Sequence, residues 1–135
     1  MDNTIQIIIS AILFFLIDLL WVAYLAKDAY KAQIQLIQGT PMKINSTLLP
    51  LVYLLIGMGI VYLVQPRLVG IERNSLDYFY NSMIWGGLLG LITYGVFDLT
   101  NYSIFKDWDP VLGLKDTLWG TFLTGLTTYL LGRLF

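Results

Sequence analysis

Apolar and polar positions in this chain come in blocks rather than in alternation. Apolar runs cover about residues 5–26, 47–64, 76–100 and 117–135, and short polar stretches separate them. Each run is close to the roughly 20 helical residues that span about 30 Å of hydrocarbon. In lipid the backbone must satisfy its own hydrogen bonds, so such runs become helices. The period-two alternation of a membrane barrel is absent. The pattern predicts an all-α, four-transmembrane-helix bundle with short loops, one integral membrane domain over residues 1–135.

Boundary residues agree with that division. Lys27–Gln38 is polar but still helix-forming, and reads as an extension of the first helix until Gly39-Thr40-Pro41 stops it. Asn45 or Ser46 is placed to cap the second helix and Asn74 or Ser75 the third, with Asp77 in its first turn. Pro50 falls in a first turn, where proline is tolerated, and Pro66 closes the run. Asp109-Pro110 and Gly113 mark a turn before the fourth helix. The first six residues carry no Lys or Arg, and the first run contains Asp18 and meets Trp21 and Tyr24. It is therefore expected to be an uncleaved membrane span.

Small residues add a packing expectation. Ser82, Gly86, Gly90, Tyr94, Asp98 and Tyr102 recur every four positions in the third run; Gly120, Thr124, Thr128 and Gly132 do so in the fourth. Small residues at this spacing let helices approach where lipid offers no hydrophobic drive to associate. The two stripes are expected to face each other, with the first helix closing over them.

Acids inside the runs point to a site. Asp18 and Trp21 form a D-x-L-W segment, and Asp116 and Trp119 form another. The first and third helices end on the side where the fourth begins. Asp18 lies about 12 Å inside that boundary at 1.5 Å per residue. Asp98 and Asp116 belong to the same half of the bilayer. A charge at a helix centre costs about 3 kcal/mol on insertion scales, so it calls for a partner, a cavity or a ligand. Candidate partners are Asn101, Lys115, Tyr94, Tyr102 and the indoles of Trp21 and Trp119. If Asp18 and Asp98 meet, two carboxyls in a dry place favour sharing one proton. The candidate ligand- or ion-binding set is Asp18, Trp21, Tyr94, Asp98, Asn101, Asp116 and Trp119.

Plainer roles stand beside these. Asp98 could tie the third helix to its loop, and Asp116 could be a helix cap or first-turn acid. Trp85, Trp108, Tyr78 and Tyr80 read as interfacial belt aromatics.

Composition narrows the class. Of the 135 residues 57% are hydrophobic and 13% charged, against about 25% charged in soluble domains. Net charge is −1, so no basic surface suggests a nucleic-acid partner. With no Cys and no His, disulfides, thiolate chemistry, the commonest zinc sites and histidine catalysis drop out. No residue set points to a metal or names a cofactor. Lys27, Lys31, Lys43, Lys106 and Lys115 fall in the first and third loops, against Arg67, Arg73 and Arg133 on the other side. This bias leans those loops toward the cytoplasm. Asn45-Ser46-Thr47 and Asn101-Tyr102-Ser103 match the glycosylation pattern but sit against the membrane, and read as chance.

The combination of Asp18-Leu19-Leu20-Trp21, Asp98-Leu99-Thr100-Asn101, Trp108, and Asp116 with Trp119-Gly120 resembles a domain-of-unknown-function family of small bacterial membrane proteins. The resemblance covers nearly the whole chain and implies four helices and an integral membrane location, with no activity attached. The family pattern has Tyr before the D-L-T-N aspartate where this chain has Phe97.

Three function classes follow. The reading preferred is a membrane protein that binds or transports a cation, proton or small polar molecule, with the bilayer and a second copy of the chain as expected partners. The alternatives are a membrane-embedded lipid-modifying enzyme, in which paired acids work as acid and base, and an accessory subunit of a larger membrane complex.

Overall fold

The computed structural model describes residues 2–135. Among them the chain is all helix and turn, in five α-helices: α1 (Asn3–Leu20), α2 (Lys27–Gln38), α3 (Leu49–Gly59), α4 (Leu76–Ile104) and α5 (Pro110–Leu134). Trp21–Leu25 and Ile60–Val64 continue α1 and α3 as π-helical turns. Such turns interrupt the regular i to i−4 ladder and re-aim the side chains that follow.

The boundaries have local causes. Asp2 caps α1 by accepting from the Thr4 N–H at 3.1 Å. Gly39 ends α2 with φ 74°, a left-handed conformation that costs glycine little. Asn45 accepts from the N–H groups of Thr47 (2.9 Å) and Leu48 (3.0 Å) just ahead of α3. Ser75 caps α4 by accepting from Tyr78 N at 3.1 Å. Asp109 caps α5 by accepting from Val111 N at 2.8 Å.

Three helical segments are long and apolar enough to cross a membrane: Asn3–Leu25, Leu49–Leu68 and Leu76–Ile104. The expected fourth span differs from the sequence expectation in two ways. It starts at Pro110, seven residues before the predicted start, so Asp116 stands in its second turn and is no cap. It also has the length, 25 residues, but not the apolar character of the other three. The reason is its place. α5 packs along α4 and against α1, and its inward positions are taken by Gly113, Gly120, Thr124, Gly125, Thr128 and Gly132.

The α4–α5 seam is the small-residue contact the stripes predict. A Cβ on Gly86 would lie 3.0 Å from Gly125 Cα, and one on Gly90 would lie 2.8 Å from Thr124 Oγ1. A Cβ on Gly120 would overlap the Tyr94 ring, and one on Gly132 the Tyr78 hydroxyl. Thr124, Thr127 and Thr128 return their hydroxyls to the carbonyl four residues earlier, each at 2.8 Å. Their polar groups are thus satisfied without crossing the seam. α1 lies on α3 and α5, and Gly57 is packed so closely on α1 that a Cβ there would sit 2.7 Å from the Ile7 carbonyl. Phe14, Tyr53 and Leu123 fill the space between these three helices.

Candidate functional site

The site begins with Asp18, buried near the end of α1. Its Oδ1 accepts from Trp119 Nε1 of α5 at 2.9 Å, and its Oδ2 accepts from the Tyr53 hydroxyl of α3 at 3.2 Å. One carboxyl therefore ties α1 to two other helices. In a poorly hydrated place such bonds matter because nothing replaces them when they are lost.

Asp116 is held differently. Its Oδ1 accepts from the Tyr30 hydroxyl of α2, and that hydroxyl accepts from Trp21 Nε1 at 3.3 Å. Tyr30 reaches Asp116 from α2, which starts afresh after Ala26 leaves the helical conformation (φ −118°, ψ 4°) at the end of the Trp21–Leu25 π-helical turn. Gln33, one turn further along α2, then clamps the loop ahead of α5. Its Nε2 donates to the Asp107 carbonyl at 2.6 Å, and its Oε1 accepts from Asp109 N at 3.1 Å. Burial first, and the adjacent Asp116 carboxyl second, push the Tyr30 phenol above the ordinary tyrosine value. It stays a neutral donor at physiological pH.

The two tryptophans of the D-x-L-W segments stack, with ring centroids 5.6 Å apart and planes 11° from parallel. Each tryptophan serves the other segment's acid: Trp119 reaches Asp18 directly, and Trp21 reaches Asp116 through Tyr30.

Asp18 and Asp116 line one cavity of about 360 Å³. Six aromatic rings share the lining: Phe14, Trp21, Tyr30, Tyr53, Tyr94 and Phe97. No Lys or Arg lines it. Tyr94 is braced from behind, its ring over Gly120 and its centroid 6.5 Å from that of the tilted Phe14 ring.

Asp98 does not join that cavity. It is buried against α5, where Oδ2 accepts from the Thr117 hydroxyl at 2.9 Å, and it lines a neighbouring groove. Its close carboxyl neighbour is Asp116 and not Asp18, so the expected Asp18–Asp98 meeting is replaced by an Asp98–Asp116 one. Asn101 lines neither space; α4 still winds there, and its carbonyl accepts from Phe105 N at 2.8 Å in the closing turn. Lys115 is exposed. Trp108 and Tyr78, read from sequence as belt aromatics, are 5% and 2% exposed and so pack inside the chain. Trp85 keeps a more peripheral place, with the Arg67 guanidinium 4.4 Å above its ring.

The sequence reading missed Tyr30, Tyr53 and Gln33. Tyr53 is a hydroxyl-bearing ring in the middle of an apolar run, which is the available signal for it. Tyr30 and Gln33 are one turn apart, so they share a face of α2. Only the packing of α2 beside the start of α5 turns that face toward it.

Chemically, the cavity offers carboxyl oxygens and electron-rich ring faces, a combination suited to a positive charge. Among the described residues no three Asp, Glu, His or Cys come together as a metal-binding group. No curated protein and no solved structure matches the chain. Residues 3–132 match the family described as "Predicted membrane protein (DUF2177)". With apolar spanning helices and this match over nearly its whole length, the chain belongs to the DUF2177 family of predicted membrane proteins, whose function is unknown.

Proposed function

We propose that this protein is a four-span membrane protein whose aromatic cavity binds a monovalent organic cation. Its α5 is the fourth span, a central helix that packing shields from lipid and that can therefore be rich in Gly and Thr. The Lys-bearing connection made of α2 and the stretch after it, and the loop between α4 and α5, face the cytoplasm.

One observation carries the reading: two carboxyls and six aromatic rings surround one cavity without a basic side chain to balance them. An ammonium group would gain from both the acids and the ring faces, more strongly where water is scarce. A divalent metal is less well matched, because the acids do not converge as a ligand set among the described residues. Movement of the cation across the bilayer, beyond binding, would need a longer polar path, which a second copy of the chain could extend.

The test is calorimetric titration of the purified protein with tetramethylammonium and with choline. Asp18→Asn keeps the shape and an acceptor for Trp119, so the fold should survive. Binding should weaken by at least about tenfold, the loss of roughly 1.4 kcal/mol of charge attraction. A folded Asp18→Asn protein that binds both cations as well as the wild type rejects the proposal.

A further inference from the structure

The cation cavity is not walled on every side. α3 and α4 are consecutive spans that meet at one place, where a Cβ on Gly59 would lie 3.0 Å from Leu89 Cδ2. Beyond that point α4 packs on the Ile60–Val64 and Gln65–Leu68 turns, whereas α3 itself packs on α1. Ile56 and Val52 lie about one and two turns back along α3, and Thr93 and Phe97 about one and two turns on along α4. All four line the cavity. The space is therefore a cleft between two helices that touch at one end and part from there on. α1 and α5 supply its floor through Phe14, Asp18 and Asp116.

The mouth of this cleft faces lipid. Val52 and Phe97, one on each lip, are 52% and 54% exposed, and Leu55 and Val96 on the adjoining outer faces are 65% and 63% exposed. Both lips belong to segments able to cross a membrane. The lining begins at Leu49, the first residue of α3, and reaches Ile56, about 10 Å deeper along the helix. An ammonium head can thus slide from the membrane surface to the acids while an attached alkyl chain stays in hydrocarbon. The head is then never left alone in the apolar layer, which is the costly place for a charge. Acids and ring faces suit the head, and the side chains of Val52 and Ile56 suit the chain.

We propose that the ligand of this cavity is an ammonium amphiphile that enters sideways from the bilayer, its head beside Asp18 and Asp116 and its alkyl chain leaving between α3 and α4. The inference rests on the cation reading and adds the class of the ligand and its route. The bilayer then does part of the binding, because each CH₂ concentrates the ligand in lipid by roughly fourfold.

The experiment is displacement of radiolabelled tetramethylammonium from the intact protein in phosphatidylglycerol nanodiscs, whose lipid carries no ammonium. The competitors are butyltrimethylammonium and octyltrimethylammonium. Half-displacement should need at least about tenfold less of the octyl compound, well inside the ceiling of roughly fourfold for each added methylene. Equal potency, with tetramethylammonium still bound, overturns the proposal and leaves the cation site standing. Wild-type protein that binds no tetramethylammonium overturns the cation reading, and this inference with it. The route is tested at the lip. The chain has no cysteine, so Val52→Cys can be capped with benzyl methanethiosulfonate and uncapped with a reductant. Capping should raise the octyl requirement about tenfold, leave tetramethylammonium affinity within about twofold, and reverse on reduction. Ile56→Cys, one turn deeper, is the second variant should Val52→Cys not fold. Leu55→Cys, which faces lipid outside the cleft, should not respond to capping. Octyl displacement that ignores a cap at residues 52 and 56, or that responds equally to one at residue 55, means that the chain does not leave between α3 and α4, and overturns the proposal.

Discussion

The two D-x-L-W segments have the same acid and the same indole at the same spacing, yet they are built into the molecule in opposite ways. The α1 copy, Asp18 to Trp21, ends its α-helix at the tryptophan and runs into a π-helical turn. The α5 copy, Asp116 to Trp119, lies inside a continuous helix and is followed by Gly120, over which the Tyr94 ring packs. Asp18 receives two direct donors, from α5 and from α3. Asp116 receives the Tyr30 hydroxyl of α2, itself fed by Trp21, and has Asp98 beside it. A four-residue pattern thus specifies an acid with an indole one turn away. What the acid does depends on the helices that reach it. Asp18 is a tie between spans, and Asp116 is the end of a relay from a helix outside the spanning segments.

The strongest test of that contrast is Asp18→Leu. It leaves the Trp119 indole and the Tyr53 hydroxyl without an acceptor between α1, α3 and α5. The expected loss is about 2–3 kcal/mol, taking roughly 1 kcal/mol or more for each stranded donor. Reversible unfolding in mixed detergent would measure it. A loss below that of any single-donor variant would show that Asp18 does not join the helices.

Trp119→Phe comes next. It keeps a ring in the stack with Trp21 but removes one of the two donors to Asp18. A hydrogen bond to a charged group is worth about 1.5–3 kcal/mol, and the lower end applies here because Tyr53 remains. The same unfolding assay checks it. Cation affinity should change little by comparison with Asp18→Asn, since the carboxyl is retained.

How much of this contrast was legible in the sequence depends on whether its cause is local. The first three runs, the cap at Ser75, the helix that reaches Gln38 and the stop at Gly39 all follow from propensity and hydrophobic blocks, and the structure has them, whereas Asn45 closes the turn ahead of α3, whose own cap is Leu48. The facing of the Gly86–Gly90 and Gly120–Thr124 stripes also follows, because only small residues permit that approach. Two things were not local. The low hydropathy of α5 reflects burial by neighbours, which a sliding window cannot see. The partners of Asp116 depend on the direction α2 takes after its π-helical turn, and no spacing in the chain encodes that. Asp98 was assigned to the wrong cavity for a related reason. Its depth along α4 was readable, but the face of α5 it would meet was not.

Tyr30→Phe tests the relay. The substitution removes the donor to Asp116 and the acceptor for Trp21 in one step, and should cost about 1 kcal/mol at neutral pH. The pH dependence gives a sharper signature. Burial and Asp116 hold the folded phenol above its ordinary value, which is about 10 in an unfolded chain. A raised folded value means that the stabilisation is complete below about pH 10. Above that, the unfolded chain ionises first, and the contribution falls as pH rises. The stability gap between wild type and Tyr30→Phe should therefore be flat from pH 6 to 9 and narrow beyond about pH 10. A gap that widens with alkalinity would mean that the phenol is not held neutral by its surroundings.

Trp21→Phe should have the smallest effect of the four and is the closest mirror of Trp119→Phe. It removes an N–H that reaches a carboxyl only through Tyr30, over 3.3 Å. The Tyr30 hydroxyl still donates to Asp116 without it, so no buried acid loses its donor. What disappears is one long hydrogen bond and part of a stacked pair, together about 0.5–1 kcal/mol. The decisive quantity is the difference between the two tryptophan variants in one assay. Trp119→Phe should exceed Trp21→Phe, because its indole donates straight to the acid that joins three helices. Equal losses would mean that the stack itself, symmetric between the two segments, holds them together. The direct and relayed bonds would then be secondary to it.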